Sequence, residues 1–181
     1  VTHLRSLGYT VSVWDLRSNQ YGLPQKRRRI FLAGVRSKKQ QTPIPPPNTT
    51  SLDEAQYPTV WELLDKSMPE KHIVPQGSRK TIFQKNLKWM GHLGINNTIA
   101  RPLCASMGKW HRANQDNYFT EDYVYKNKRP NLIEYDWTKE NLRRITPIEA
   151  LRLQGFPVSI HDTFLKQNIS ITSQYKMLGN A

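Results

Sequence analysis

The sequence is poor in cysteine, with Cys104 as the one cysteine among 181 residues. A single cysteine excludes an internal disulfide, and no cysteine or histidine spacing matches a zinc site, so we expect a reducing environment and no bound metal. The sequence also lacks an apolar run of about eighteen residues and the pattern of a secretory signal. We therefore expect an intracellular protein outside the membrane, cytoplasmic if the source is a bacterium.

Acidic residues are also few, since 14 Asp and Glu stand against 27 Lys and Arg, which gives a formal net charge of +13. This balance favours a polyanionic partner such as double-stranded DNA, whose phosphates dominate the attraction. A basic surface kept only for solubility is the alternative. Five Trp, eight Tyr and five Phe argue against a disordered tail, because disordered segments are poor in aromatic residues.

Residues 1–50 predict the edge of a larger sheet. Residues 1–7 are typical of the end of an amphipathic helix, which Gly8 would terminate. Residues 9–16 and 29–35 alternate and are rich in β-branched and aromatic side chains, so they predict two antiparallel strands. Two strands and a short helix cannot bury a core alone, so we expect the rest of an α/β sheet to cover them.

The middle of the sequence is less regular. A proline-rich run at residues 43–47 predicts a stiff, extended crossing between two domains. Thr59 is a candidate helix N-cap, and residues 76–90 have loosely helical spacing. Residues 92–133 predict short β pieces and polar loops.

A helix start is clear near the C-terminus. Thr146, Pro147 and Glu149 fit the N-cap, the first helical position and the second partner of a capping box. Gly155 would end this helix. We expect the helix to anchor the fold by packing through its apolar side chains, which are Leu151, Leu153 and Phe156.

Three short motifs, in this order, resemble the last three conserved motifs of the DNA (cytosine-5) methyltransferases. They are Gln-x-Arg-x-Arg, then Thr-Pro-x-Glu followed by Leu-Gln-Gly-Phe-Pro, then Gly-Asn-Ala. The matching residues are Gln25, Arg27 and Arg29, then Thr146, Glu149, Gln154, Gly155 and Phe156, then Gly179, Asn180 and Ala181. The sequence lacks the family's Gly-rich cofactor turn, Pro-Cys-Gln nucleophile loop and Glu-Asn-Val motif, so the resemblance implies the C-terminal part of such an enzyme.

The resemblance implies an α/β fold, with the edge of a Rossmann-like methyltransferase sheet and a smaller, irregular, mostly β target-recognition domain. Residues 1–50 would form the C-terminal edge of the catalytic domain, and residues 51–140 the target-recognition domain. Residues 141–181 would form a helical return that carries the closing cofactor motif. The missing N-terminal catalytic part would be supplied in cis or by a second subunit, and the chain alone is expected to be inactive.

The first motif implies the catalytic residues. By resemblance, Arg29 would meet O2 of a flipped cytosine or its phosphate, Arg27 would brace the nucleophile loop and a neighbouring phosphate, and Gln25 would hold the turn. Arginine suits this chemistry, because nucleophilic addition to the ring builds negative charge toward O2 and N3 and a guanidinium is always charged. In a strand, residues 27 and 29 point to one side and Arg28 to the other. A solvent-facing basic cluster is the alternative.

Residues 98–119 occupy the place of the family's base-reading loop, and they are rich in side chains that bind phosphate or base edges. Gly108 would bring the backbone close to a groove. A surface loop that faces water, with Trp110 capping a small core, is the alternative. The groove contacts that we expect are Arg101, Ser106, Lys109, His111 and Arg112.

Pro102 and Cys104 of this loop do not match the family's phosphate-binding and nucleophilic residues. Pro102 stands where many family members have threonine, so a phosphate contact made there would be absent or made differently. Cys104 is not expected to be the nucleophile, because the family nucleophile lies upstream of the first motif. Plain packing is its expected role.

The third motif implies a turn that closes over the methionine portion of S-adenosylmethionine. Asn180 and Ala181 would bind this cofactor, and Gly179 would allow close backbone approach. A helix C-cap is the alternative.

The whole resemblance implies an enzyme, typical of restriction-modification systems, that flips a target cytosine out of duplex DNA. It would transfer a methyl group from S-adenosylmethionine to carbon 5. The alternatives are a DNA-binding specificity subunit of a split methyltransferase, a non-catalytic DNA-binding module, and an enzyme that methylates RNA.

Overall fold

A computed structural model gives the structure of the chain, and it describes residues 1–36, 42–87, 94–109, 111–112, 115–129, 136 and 138–181. Helix α1 (Thr2–Ser6) ends before Gly8, whose φ of +82° suits glycine. Strands β1 (Tyr9–Arg17) and β2 (Arg28–Arg36) pair antiparallel over their whole length. The predicted helix end and both predicted strands are therefore confirmed.

The β1–β2 hairpin has an apolar face that the described residues leave open. Val13, Ile30 and Leu32 lie on one side of it and are 51%, 66% and 54% exposed. They share this side because Val13 is paired directly with Leu32, and Ile30 is two residues from Leu32. A two-stranded sheet is marginally stable on its own, so an element packed on this face would stabilise the hairpin.

Six further α-helices and a second small sheet complete the described structure. The helices are α2 (Val60–Leu63), α3 (Gln76–Leu87), α4 (Glu121–Lys126), α5 (Pro147–Leu153), α6 (Ser159–Lys166) and α7 (Ile171–Asn180). The sheet pairs β3 (Tyr118–Thr120) antiparallel with β4 (Leu142–Arg144). Within the described residues, every helix is too short or too polar to span a bilayer.

The segment 51–140 is irregular, as predicted, but its described part carries more helix than strand, with α2, α3, α4 and one three-residue strand. The predicted helix at 76–90 is confirmed as far as Leu87, and residues 88–90 lie outside the described residues. Thr59 is the N-cap of α2, as predicted, and its backbone N–H donates to the Glu62 carboxylate at 3.0 Å.

The main hydrophobic core joins the middle of the chain to its C-terminal helices. Its buried side chains include Val60, Leu63, Phe119, Tyr123, Leu151, Leu153, Tyr175 and Leu178. A smaller cluster contains Val74, Ile82, Ile95, Tyr118 and Leu142. Because residues from both sides of position 140 share one core, segments 51–140 and 141–181 pack together. The proposed boundaries at residues 50 and 140 stay a prediction.

Helix α5 begins with the predicted capping box. The Thr146 N–H donates to the Glu149 carboxylate at 2.7 Å, and the Glu149 N–H donates to the Thr146 hydroxyl at 3.3 Å. Arg143 and Glu149 are both fully buried, and the guanidinium donates to the two carboxylate oxygens at 2.7 and 2.8 Å. Glu149 also accepts the backbone N–H of Asp65 at 2.8 Å. One carboxylate therefore joins β4, α5 and the chain that follows α2.

The end of α5 is partly as predicted. Gly155 ends the helix with a φ of +74°, and Leu151 and Leu153 are fully buried. The predicted packing role is wrong for Phe156, which is 38% exposed. The left-handed turn at Gly155 redirects the chain, so Phe156 leaves the buried stripe of α5 and lines a surface cleft instead.

Helix α7 is tied to the core through the hydroxyl of Tyr175. This hydroxyl donates to the Ile145 carbonyl, and Nδ1 of His72 lies 3.1 Å from it. Burial, together with the nearby Arg144 cation, lowers the pKa of His72 to about 4. The imidazole is therefore neutral at neutral pH, which suits a hydrogen bond with a hydroxyl in the core.

We expect Glu149→Gln to destabilise the chain by about 3 kcal/mol, because it leaves the Arg143 guanidinium buried without a counter-charge. Urea unfolding followed by circular dichroism measures the loss. Asp15→Asn is the control, since it breaks the exposed Asp15–Arg28 ion pair and should leave the unfolding midpoint nearly unchanged. Equal midpoints for the two variants would show that the buried pair is not a stabilising contact.

Candidate active-site cleft and nucleic-acid interface

Residues from all three motifs meet at one surface cleft of about 550 Å³. Strands β1 and β2 form one wall, and the ends of α5 and α7 form another. We call it the motif cleft, and the residues that define it are Arg27, Arg29, Phe31, Gln154, Phe156 and Ala181. Motifs that are far apart in the sequence therefore lie side by side.

Arg27 is buried in the wall of the motif cleft. Its guanidinium donates to the Leu103 carbonyl at 3.4 Å and to the Ala181 carbonyl. Burial lowers its pKa, and the neighbouring Arg29 cation lowers it further. A guanidinium remains charged at neutral pH even so, because its ordinary pKa is far above 7. Arg27 therefore places a positive charge in the wall and ties Leu103 to the end of α7.

Arg29 and Arg28 lie on opposite sides of β2. Arg29 is exposed and lines the motif cleft together with Arg27. Arg28 faces away and donates to the Asp15 carboxylate at 2.7 and 2.5 Å, which lowers the pKa of Asp15. The spacing of two therefore brings residues 27 and 29 to one site, as the strand pattern predicts.

Gln25 joins three parts of the chain behind the cleft. Its side chain is fully buried. The amide donates to the Leu153 carbonyl at 3.2 Å and accepts the Leu103 N–H at 3.4 Å. Its backbone carbonyl accepts the Ser18 hydroxyl at 2.6 Å. These contacts suit the predicted role of holding the turn before Arg27.

The apolar residues Leu16 and Phe31 of the cleft are not among the predicted site residues. Phe31 lies two residues after Arg29, and Leu16 is paired directly with Arg29 across the hairpin. The alternation that places Arg27 and Arg29 on one side of the strand also places Phe31 and Leu16 on that side, so it was a signal for both residues. A further apolar wall residue, Phe156, belongs to the second motif, which predicts a packing role for it.

The third motif does not form the predicted turn. Gly179 and Asn180 are the last residues of helix α7, and Ala181 follows as its cap. A β-carbon at Gly179 would lie 2.2 Å from the backbone of Cys104 and Ala105, so the close approach at Gly179 is to the chain itself. Ala181 reaches the motif cleft, whereas Asn180 is exposed to solvent.

The predicted base-reading residues lie in one loop whose ends are held together. Asn117 bonds both backbone groups of Arg101, accepting its N–H at 2.9 Å and donating to its carbonyl at 3.1 Å. Asp116 accepts the backbone N–H of Arg112 at 3.0 Å. The loop from Arg101 to Arg112 therefore has a fixed base, and the role predicted for Trp110 lies outside the described residues.

The five predicted groove contacts differ in exposure. Lys109 is exposed, whereas Arg101, Ser106, His111 and Arg112 are half-buried. Burial and the Arg144 cation lower the pKa of His111, and its ring Nδ1 is buried with no partner in the described part of the chain. Lys109 is therefore better placed than His111 to meet a phosphate.

Three other residues of the loop have intramolecular roles. Gly108 packs against α7, and the approach of its backbone to a groove stays a prediction. The residue after Pro102, Leu103, gives its N–H to Gln25. Cys104 is half-buried, and its thiol lies 3.8 Å from the Pro102 carbonyl, which suits a packing role.

The family model for C-5 cytosine-specific DNA methylase matches residues 1–181. The chain belongs to the C-5 cytosine-specific DNA methylase family. Among curated relatives, it is 30% identical to Type II methyltransferase M.NlaX of Neisseria lactamica, over 100% of this chain and 51% of the relative. It is 29% identical to Type II methyltransferase M1.ScrFI of Lactococcus lactis subsp. cremoris, over 98% and 41%. The chain thus spans about half the length of these methylases.

Solved structures support an α/β methyltransferase-like fold for this methylase chain. It resembles the S. pombe Dnmt2 methyltransferase with a TM-score of 0.67 at 18% identity, over 99% of this chain and 55% of that one. It resembles Entamoeba histolytica methyltransferase EhMeth with a TM-score of 0.65 at 17% identity, over 99% and 51%. These likenesses confirm the predicted α/β methyltransferase-like fold.

The residues at the end of α7 fit part of the cofactor that methyltransferases use. The Asn180 amide makes no hydrogen bond to another described residue, so its donors and its acceptor are free for a carboxylate or an amino group.

Among the described residues, no group of three or more His, Cys, Asp or Glu is placed to hold a metal.

We expect Gln25→Leu to cost about 1–3 kcal/mol of stability, because it leaves the Leu153 carbonyl and the Leu103 N–H buried without partners. Urea unfolding measures the change. The control is Gln76→Leu, since the Gln76 amide also donates to a backbone carbonyl, that of Thr138 at 3.2 Å, but Gln76 is exposed. A loss no larger than that of the control would contradict the role assigned to Gln25.

Proposed function

We propose that this chain is the C-terminal portion of a DNA (cytosine-5) methyltransferase. The enzyme flips a target cytosine out of duplex DNA and transfers a methyl group from S-adenosylmethionine to carbon 5. The observation that carries this proposal is the motif cleft, where Arg27 and Arg29 lie beside Phe156 and Ala181. The curated relatives named Type II methyltransferases support a place in a restriction-modification system.

Arg29 is the residue that would stabilise the reacting base. Nucleophilic addition to the cytosine ring builds negative charge toward O2 and N3, and a fixed cation near those atoms lowers the barrier. Arg29 is exposed, and its guanidinium donates at 2.9 Å to the Arg28 carbonyl, which is neutral. Its charge is therefore not neutralised by a carboxylate within the described residues.

Arg27 would hold the cleft in shape. Its donors to the Leu103 and Ala181 carbonyls support a bracing role inside the chain rather than the contact with a phosphate that the family resemblance implies. Its positive charge, set in the wall beside Arg29, adds to the field at the reacting ring.

The apolar residues of the cleft support the binding of a flipped base. Phe31, Phe156 and Tyr21 contribute aromatic side chains to the lining. Enzymes that flip bases hold them by stacking and by hydrogen bonds to their polar edges. An apolar lining also lowers the local dielectric constant, which strengthens the attraction between a guanidinium and the developing charge.

The end of α7 would meet the cofactor. S-adenosylmethionine supplies the methyl group when it is bound. The free amide of Asn180 would accept from its amino group or donate to its carboxylate, and Ala181 would lie between this contact and the base-binding part of the cleft.

The nucleophile and the rest of the cofactor site would come from a further catalytic part, in cis or as a second subunit. The chain covers 41% of M1.ScrFI and 51% of M.NlaX, which supports this division. The open apolar face with Val13, Ile30 and Leu32 supports it as well, since such a face is expected to be covered. The chain alone would transfer no methyl group.

We expect Arg29→Ala in the complete enzyme to lower kcat for methylation of DNA by about 100-fold or more, because one charge that stabilises the reacting ring is lost. Transfer of tritium from labelled S-adenosylmethionine to unmethylated duplex DNA measures kcat. Arg28→Ala is the matched control, since Arg28 faces away from the cleft.

An unchanged kcat for Arg29→Ala would overturn the assignment of the motif cleft as the cytosine site. A complete protein that binds duplex DNA but transfers no methyl group would favour a non-catalytic DNA-binding module instead. Transfer to RNA but not to DNA would favour the RNA-methylating alternative.

We expect duplex binding by the chain to weaken at least 10-fold between about 50 and 200 mM salt, because Lys and Arg displace condensed counterions. Fluorescence anisotropy of a labelled duplex measures it. Lys109→Ala should reduce the slope of log affinity against log salt by about 0.9, whereas the exposed Lys166→Ala on α6 should not. Binding that is insensitive to salt would argue against a phosphate-contacting loop.

A further inference from the structure

The loop that carries the predicted DNA contacts lies directly on helix α7. At Gly108, a β-carbon would be 3.1 Å from Cα of Thr172 and 3.2 Å from Cβ of Tyr175. At Gly179, a β-carbon would be 2.2 Å from the carbonyl carbon of Cys104 and from the nitrogen of Ala105. The loop and the helix therefore touch at two points, and each contributes the glycine at one of them.

Backbone conformation does not explain these two glycines. Neither has a positive φ, whereas Gly8, Gly22 and Gly155 do. Gly179 lies within α7, where alanine has the higher helix propensity. The lack of space between loop and helix is what requires glycine at Gly179 and favours it at Gly108.

Buried core side chains flank the contact between the loop and α7, both on the loop and on the helix. Leu103 and Met107 of the loop are 3% and 4% exposed, and Tyr175 and Leu178 of the helix are 0% and 2% exposed. Close-packed interiors transmit small displacements instead of absorbing them. We therefore expect a shift of the loop to displace α7, and a shift of α7 to displace the loop.

Each glycine lies within two residues of a predicted binding residue. Ser106 and Lys109 lie two and one residues from Gly108, and Asn180 and Ala181 directly follow Gly179. Arg27 also links the loop to the helix, since its guanidinium donates to the carbonyl of Leu103 in the loop and to that of Ala181 at the end of the helix. The DNA-binding loop and the cofactor end of the motif cleft thus belong to one packed unit.

We infer that Gly108 and Gly179 are positioning residues that seat the DNA-binding loop on helix α7 and thereby couple DNA binding to S-adenosylmethionine binding. This inference rests on the proposed function. It assigns Gly179 to the contact between loop and helix, and it predicts that a change in the loop alters cofactor affinity.

The test uses the full-length enzyme that contains these residues. Dissociation constants for S-adenosylmethionine are measured by calorimetry with and without a saturating duplex, for wild type and for Gly108→Ala. Gly77→Ala is the matched control, because a β-carbon at Gly77 meets no atom within 4 Å. Thermal unfolding of each variant reports whether the fold is intact. Gly179→Ala is a second variant, with the more severe clash.

In wild type we expect the duplex to change the cofactor dissociation constant by about 5-fold or more, which is the usual size of coupling between two sites. Gly108→Ala should weaken cofactor binding, although Gly108 lies in the DNA-binding loop. It should also move the ratio of the cofactor dissociation constants measured with and without duplex toward one. Thermodynamic reciprocity requires the cofactor to change duplex affinity by the same factor.

The inference is overturned if Gly108→Ala and Gly77→Ala have the same cofactor affinity and the same ratio of cofactor dissociation constants with and without duplex. This holds even when the duplex affinity or thermal stability of Gly108→Ala is lower. That outcome would leave Gly108 with a structural role alone. The proposed function fails separately, if the wild-type enzyme binds neither duplex nor S-adenosylmethionine.

Discussion

The buried ion pair between Arg143 and Glu149 is the contact on which the rest of the fold depends. Glu149 caps its own helix, neutralises Arg143 from strand β4 and accepts the N–H of Asp65. Arg143 in turn donates to the Asp65 carbonyl at 3.2 Å. Two charges without access to water are tolerated when they are paired and most of their hydrogen bonds are met, and here only Nε of the Arg143 guanidinium lacks a partner among the described residues. The pair therefore fixes where α5 begins.

The position of the motif cleft follows from the position of α5. The far end of this helix is held by Gln25, which bonds the Leu153 carbonyl, and Gly155 then turns the chain toward the cleft. A polar side chain with no access to solvent thus anchors each end of α5. The apolar stripe between them, with Leu151 and Leu153, fills the core that the helix shares with α7.

Local signals in the sequence predicted a large part of this structure, and long-range contacts account for the rest. Alternation predicts β1 and β2, and the capping box predicts the start of α5, because both depend on residues a few positions apart. Motif order and strand spacing together predict that Arg27 and Arg29 share a site.

Contacts between distant segments were not predictable. Arg143 looks like an ordinary basic residue until Glu149 is known to be buried beside it. The third motif predicts a cofactor turn at Gly179, whereas the close neighbour of Gly179 is the backbone at Cys104, 75 residues earlier in the sequence. The helix that contains Gly179 did have a local signal, since the Ser170 hydroxyl accepts the Ser173 N–H as an N-cap at 3.2 Å.

The hairpin of β1 and β2 has two outer edges of nine residues each, and neither is paired with another strand of the described chain. Open edges of this length pair readily with other molecules, and natural sheets protect them with charged side chains. Here the strand ends carry like charges, contributed by Arg17, Arg29 and Arg36, whereas Asp15 offsets the charge of Arg28. Two copies brought edge to edge would repel each other at these positions. These arginines thereby oppose edge-to-edge pairing of the hairpin, as charged gatekeeper residues beside exposed strands do.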